Sequence, residues 1–400
     1  MTRIRNFAAV ASAALLITAA AWAHPGHPPL HRENPTTVEL PPHGTTIPLE
    51  LFRGQRIFVK GGVNHQPLDI MLDSAAGATV MDKATAQRLG IKGTDPVQLR
   101  GVGGVEEVLV AHNVDLHLGG MEVPGLDVVI IDLQPLARGM GRDLPMIVGK
   151  DVFNLVTATF DFQNNHLTLG NRGSFVAPRG AVRLELANNA DIRSAEIAIA
   201  GDQPTKAQVD LGNPYALSIS KAYWSSQSKL QSLKSAQWQA GGVGGFKPAF
   251  RVTVPKVEFA GQTFVNVPAI VNDAPDALPV EGANVGVDIL KRFLVTLDFG
   301  GNAMYLQAAA KAEPFFKDRA GLRADLVGDR FRVAFVSPDG PAAAAGLKSG
   351  DEITAINGHP VTSAFYSGPL ARWSSGSAGE VVRLTKADGK NTHLTLRDYY

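Results

Sequence analysis

Two stretches of this 400-residue chain repeat each other. Leu72-Asp73-Ser74-Ala75-Ala76 is matched by Val209-Asp210-Leu211-Gly212-Asn213. Gly149-Lys150-Asp151-Val152-Phe153 is matched by Gly286-Val287-Asp288-Ile289-Leu290, and Asp161-Phe162 by Asp298-Phe299. Each pair of aspartates lies 137 positions apart. A repeat this long predicts two similar half-domains, not the short units of a solenoid. Halves that face each other would bring Asp73 and Asp210 together, and two close carboxylates share a proton. One Asp before a small residue is ordinarily a turn former. It is the duplication that makes this pair a catalytic candidate.

Further echoes follow the same order. Gly101-Val102-Gly103-Gly104 returns as Gly242-Val243-Gly244-Gly245, now offset by 141, so about four extra residues separate Asp210 from its Gly-rich tip. Apolar segments cut by Gly and Asn read as short strands. Examples are Leu68–Leu72, Val128–Ile131 and Val295–Phe299. A short helix is expected at Lys83–Leu89, ended by Gly90, and another at Asp151–Leu155. Asp151 and Asp288 precede helices and read as caps or structural positions. Asp161 and Asp298 fall in hairpins expected at the outside of each half, as surface residues.

The composition narrows the functional classes. A net charge of +1 with no basic stripe speaks against nucleic-acid binding. The 41 Gly and 25 Pro suit a turn-rich β protein. The absence of Cys excludes thiol catalysis, Cys-ligated metals and disulfides. Arg3 and Arg5 precede an apolar run ending in Ala21-Trp22-Ala23, so residues 1–23 read as a secretory signal peptide. Its removal would leave an exported, periplasmic or secreted chain with no stable membrane span. Residues 24–45, rich in Pro, Gly and His, read as a flexible leader. The sequence contains no H-E-x-x-H, P-loop or G-x-S-x-G motif.

The loops Asp73-Ser74-Ala75-Ala76 and Asp210-Leu211-Gly212-Asn213, the Gly-rich tips and the strands Ile147-Val148-Gly149 and Asn284-Val285-Gly286 resemble those of retropepsin-like and pepsin-like aspartic peptidases. The resemblance covers roughly residues 46–307. It implies a mainly β, bilobal acid-protease-type pair of β-barrels, with lobe 1 at 46–172 and lobe 2 at 173–308. It also implies catalytic Asp73 and Asp210 in dyad loops with Ser74, Ala75, Leu211 and Gly212. Gly101, Val102, Gly103 and Gly104, with Gly242, Val243, Gly244 and Gly245, would be substrate-covering flaps. Such a site needs no metal or cofactor, takes a polypeptide, and is complete within a monomer.

A third unit is set off by the linker Ala308–Pro314. Pro338-Asp339-Gly340-Pro341-Ala342, Ala345–Asp351 and the Ile353-to-Gly358 stretch resemble a bacterial-type PDZ domain, small and α+β, placed at 315–400. The resemblance implies capture of a peptide or protein C-terminus near Gly321 and Leu322.

Two positions depart from the peptidase pattern. Ala75 stands where the family has Gly, and Leu211 where it has Thr or Ser, whose hydroxyl braces the opposite loop. The reading is therefore an exported aspartic endopeptidase. The alternatives are an inactive peptide-binding pseudo-protease and a PDZ-led scaffold.

Overall fold

The computed structural model describes residues 17–18, 36–101, 104–189, 192–242, 245–273 and 282–400. Most of the expected signal peptide, residues 24–35 of the expected leader and the tip residues Val102, Gly103, Val243 and Gly244 lie outside that set.

The two halves are joined by one sheet. Its strands run Thr45–Phe52, His166–Asn171, Val156–Asp161, Phe293–Asp298, Ala303–Ala308 and Val182–Glu185, three from each half. The central pair is antiparallel, with Thr159 opposite Thr296. Their hydroxyls share a hydrogen bond of 2.8 Å across a separation of 137 residues. The strands form because apolar and polar residues alternate. In Thr45–Phe52, for example, Ile47 and Leu49 are buried while Pro48 and Glu50 are exposed. Phe160, fully buried, stacks on Phe162 and meets Phe153 at a tilt, each ring centroid 6.1 Å away.

Each half then builds the same motif above this base. In the first, Arg56–Val63 and Gln66–Leu72 form a hairpin through Asn64 and His65, both at positive φ. Met146–Val148 lies parallel to the end of Gln66–Leu72, and Val80–Asp82 pairs with its other side. In the second, Thr205–Val209, Ala283–Val285 and Leu217–Ile219 repeat the arrangement. Long hairpins Asp95–Gly101 with Gly104–Leu118, and Ser235–Gly242 with Gly245–Phe259, rise from each half. The extra residues of the second half form an added helical turn, Ser228–Gln231, after Lys221–Ser226.

Helix Lys83–Leu89 lies where the sequence placed it. Asp82 caps it by accepting from the Ala84 and Thr85 amides, and Gly90 ends it at φ 71°. The C-terminal unit is a sheet of Leu322–Val327, Arg330–Val336, Glu352–Ile356, Val381–Lys386 and Asn391–Thr395, with His359–Pro360 on Glu352–Ile356. It shares one apolar core with the first half. Phe52, Leu136, Met140 and Leu144 cluster with Leu322, Phe331 and Tyr366.

The chain is mainly β, as expected, with its strands gathered into sheets and few helices. Two local expectations are corrected. The hairpins carrying Asp161 and Asp298 are central to the joining sheet, and both residues are half-buried. Asp161 accepts from the Gln163 and Asn164 amides and Asp298 from the Gly301 amide, so each fixes a turn. Residues 36–44, expected as part of the leader, are tied to the fold. Glu39 and Glu122 exchange backbone hydrogen bonds at 2.8 and 2.9 Å, and Val38 and Leu40 pack on the core.

Truncating Phe160→Ala would open a cavity where the halves meet. Its expected cost is about 3–5 kcal/mol, read as a lowered denaturation midpoint with one transition for both halves.

Candidate active site

Each aspartate ends a strand that runs into a tight loop. The Asp73 amide donates to Val148 O and the Asp210 amide to Val285 O, each at 3.0 Å, so the neighbouring parallel strand holds both loops. The glycine after that strand is required. A Cβ on Gly149 would lie 2.8 Å from Ala76 O, and one on Gly286 2.1 Å from Tyr215 O.

Both carboxyls are fully buried. Asp73 Oδ1 accepts from the Ala75 and Ala76 amides at 2.9 Å. Asp210 Oδ1 accepts from the Gly212 and Asn213 amides at 2.7 and 3.0 Å. The loops face one another closely. A Cβ on Gly212 would lie 2.1 Å from Asp73 Cγ. Ser74 Oγ accepts from the Leu211 amide at 2.9 Å and donates to Val209 O at 3.4 Å. One hydroxyl therefore braces the opposite loop. Leu211, without a hydroxyl, is fully buried in the apolar core. Ala75 keeps its amide on Asp73, so its added methyl leaves that contact intact.

The carboxyls differ at their second oxygens. Asp210 Oδ2 accepts from Asn284 Nδ2 at 2.7 Å, whereas Asp73 Oδ2 makes no hydrogen bond among the described residues. Asn284 is held by Asn213, whose Nδ2 donates to Asn284 Oδ1 at 2.7 Å and to Ser218 Oγ at 3.0 Å. In the first half the same strand position is Ile147.

Burial raises Asp73 well above the ordinary carboxyl range, and the neighbouring charge of Asp210 raises it further. Burial also raises Asp210, but Asn284, the two loop amides and the Arg56 charge pull it back. The pair titrates as a unit, with its proton favoured on Asp73.

Arg56 and Asn284 are the site residues that sequence reasoning missed. Arg56 opens the strand Arg56–Val63, and its Nη1 donates to Gly212 O. Burial pushes its guanidinium down to about 10, while Tyr215, Asp73 and Asp210 pull it up. Gln55 Nε2 donates to Pro214 O at 2.9 Å, and Lys291 Nζ to Gly54 O at 2.9 Å. The turn before Arg56 is thereby clamped on the second half. The exception in the sequence was visible for Asn284, a polar residue in an apolar strand. Nothing marked Arg56.

The other expected residues fall as follows. Asp151 accepts from Thr79 N and Oγ1, both at 2.8 Å, tying the Asp73 loop to helix Lys150–Phe153. Asp288 accepts from the Phe316 amide at 2.8 Å and pairs with Lys291 at 2.7 Å. Gly101 pairs with Gly104 and Gly242 with Gly245, the last described pairs of the two long hairpins. Gly321, at φ 70°, donates its amide to Asp318 Oδ2 at 3.0 Å, and Leu322 is buried. Helix Gln134–Met140 of the first half packs against Leu322–Val327. The loop expected to receive a peptide carboxylate thus already holds one from its own chain.

Residues 59–152 match the family model described as aspartyl protease. Residues 332–398 match the one described as PDZ domain. The first match contains Asp73 and stops before Asp210, which is reached only through the internal repeat. No match was found among curated proteins.

The raised carboxyls set a stability test. A carboxyl raised on folding contributes fully below its unfolded value of 3.8 and loses that contribution as pH rises through the folded value. Asp73→Asn removes the charge that must otherwise be buried. The variant is expected to melt above the wild type at neutral pH, with the gap closing toward pH 4. A gap that stays constant with pH would show that Asp73 is not raised.

Proposed function

We propose that this chain is an exported aspartic endopeptidase in which Asp73 and Asp210 form the catalytic dyad. The observation that carries the reading is the meeting of the two loops, with both carboxyls buried between them. Asp210, supported by Asn284 and two amides, takes a proton from water. The resulting oxygen attacks the scissile carbonyl carbon, and Asp73 gives its proton to the carbonyl oxygen. Asp210 then passes the captured proton to the departing amide nitrogen as the C–N bond breaks, and Asp73 recovers its own from the collapsing hydroxyl. The mechanism follows the aspartic-protease pattern of paired carboxylates; the assignment of base and acid follows from the unequal second oxygens.

The Gly-tipped hairpins are proposed to close over an extended polypeptide and exclude bulk water. The C-terminal unit is proposed to recruit or position that polypeptide. Residues 1–23 are proposed to direct export and to be removed, so that the N-terminus of exported material begins at His24.

Hydrolysis of an unfolded protein should fall to background in Asp73→Asn and in Asp210→Asn alike, and a pepstatin-type transition-state analogue should block the wild type. Turnover that persists in either variant removes the dyad. Extended-peptide binding with no turnover by the wild type would favour the inactive alternative.

Asn284→Leu restores an apolar residue at this strand position and deletes the hydrogen bond to Asp210. It frees Asp210 to titrate higher, so the acidic limb of the pH–rate profile should move up by about one unit. An unmoved acidic limb would reject Asp210 as the base.

A further inference from the structure

A cavity of about 150 Å³ lies between the two halves and the C-terminal unit. Four guanidinium groups line it, Arg53, Arg56, Arg251 and Arg323, against one lining carboxylate, Asp318. Arg251 approaches Asp318 at 3.7 Å, and Arg323 pairs with Asp325 just behind the wall at 3.0 Å. Arg53 meets only neutral groups among its described contacts, the Met140 carbonyl at 3.4 Å and the Tyr366 ring at 3.7 Å. Positive charge exceeds negative.

The wall also holds donors without acceptors. Trp238 Nε1, Arg251 Nε and Arg53 Nε are buried and make no hydrogen bond among the described residues. Trp238 is 6% exposed, and Arg251 Cζ stands 3.7 Å above its ring. A buried donor left unmade costs about 1–3 kcal/mol, so three around one cavity point to an acceptor that arrives from outside. Between the guanidinium groups the lining is apolar, including Met140, Leu144, Phe331 and Tyr366.

The cavity lies beside the loops that carry the two aspartates. Arg56 touches Gly212, which lies against Asp73, and Pro214 and Tyr215, just beyond the Asp210 loop, form part of its lining. We propose that this cavity is a subsite of the substrate cleft that takes a carboxylate-bearing residue of the bound polypeptide, its stem on the apolar lining and its carboxylate on Arg53, Arg251 and the Trp238 indole N–H. The proposal rests on the peptidase reading for the polypeptide itself. The carboxylate can belong to a Glu side chain or to the chain terminus, since both present the same charged fork.

The test uses the full chain carrying Asp210→Asn, so that binding is read apart from turnover. Fluorescein-labelled extended peptides differing only in Glu against Gln, each with a free or an amidated C-terminus, are titrated by anisotropy. The charged peptide should bind about tenfold tighter than its neutral twin. Preference for Glu identifies the side chain as the source, and preference for the free end identifies the terminus. Trp238→Phe, which removes one N–H and keeps the ring, and Arg53→Gln should each shrink the preference between the charged peptide and its neutral twin. Equal affinity for all four peptides, or a preference unchanged in both variants, overturns the proposal. A charge preference without hydrolysis by the wild type would sink the peptidase reading alone, and hydrolysis without a charge preference would sink this proposal alone.

Discussion

A residue can touch its own repeat counterpart only on the axis that relates the two copies. Three such meetings define this molecule. Thr159 meets Thr296 in the joining sheet, Ser74 meets Leu211 between the loops, and the Asp73 charge is felt together with that of Asp210. The axis therefore runs from the base of the structure to the dyad. The joining sheet fixes the rotation of one half against the other, so packing at Phe160 helps decide whether the carboxyls meet. At the proposed dyad small displacements would cost rate steeply, so the buried sheet would share in its positioning.

Much of this was legible because duplication doubles every signal. A strand end before Asp, a Gly-tipped hairpin and an apolar strand ending in Gly are weak signs singly, and here each occurs twice at a nearly constant offset. Register within each half could be read from alternation. What alternation does not carry is the partner of a strand. The hairpins of Asp161 and Asp298 looked peripheral because nothing in their sequences says that they pair with each other. Arg56 was illegible for a related reason. Its contact with Gly212 spans 156 residues and exists only once the halves have docked. Residues 36–44 looked like leader because Pro and Gly dominate the stretch before them, whereas what anchors them is the packing of Val38 and Leu40 and a backbone pairing with distant Glu122.

The C-terminal unit was readable as a fold and not as a neighbour. Its strand Leu322–Val327 is packed by helix Gln134–Met140, and Trp238 of the second long hairpin meets Phe335 edge-on at 5.6 Å. One unit thus touches the wall of one half and the hairpin of the other. A bound segment that displaced either contact would be felt at the cleft through apolar packing, which is dense enough to transmit small shifts.

The two loops have also divided their labour. Gly212 leaves room for the Asp73 carboxyl, and Ser74 supplies the hydroxyl that Leu211 lacks. Asn284 draws on Asp210 from a position that is Ile147 in the first half. Two copies of the first half alone would set Ala75 where Gly212 stands, with a Cβ 2.1 Å from the opposing carboxyl carbon. Two copies of the second would have no bracing hydroxyl at all. The halves are no longer interchangeable, and a chain that began as a repeat has become a pair of obligate complements.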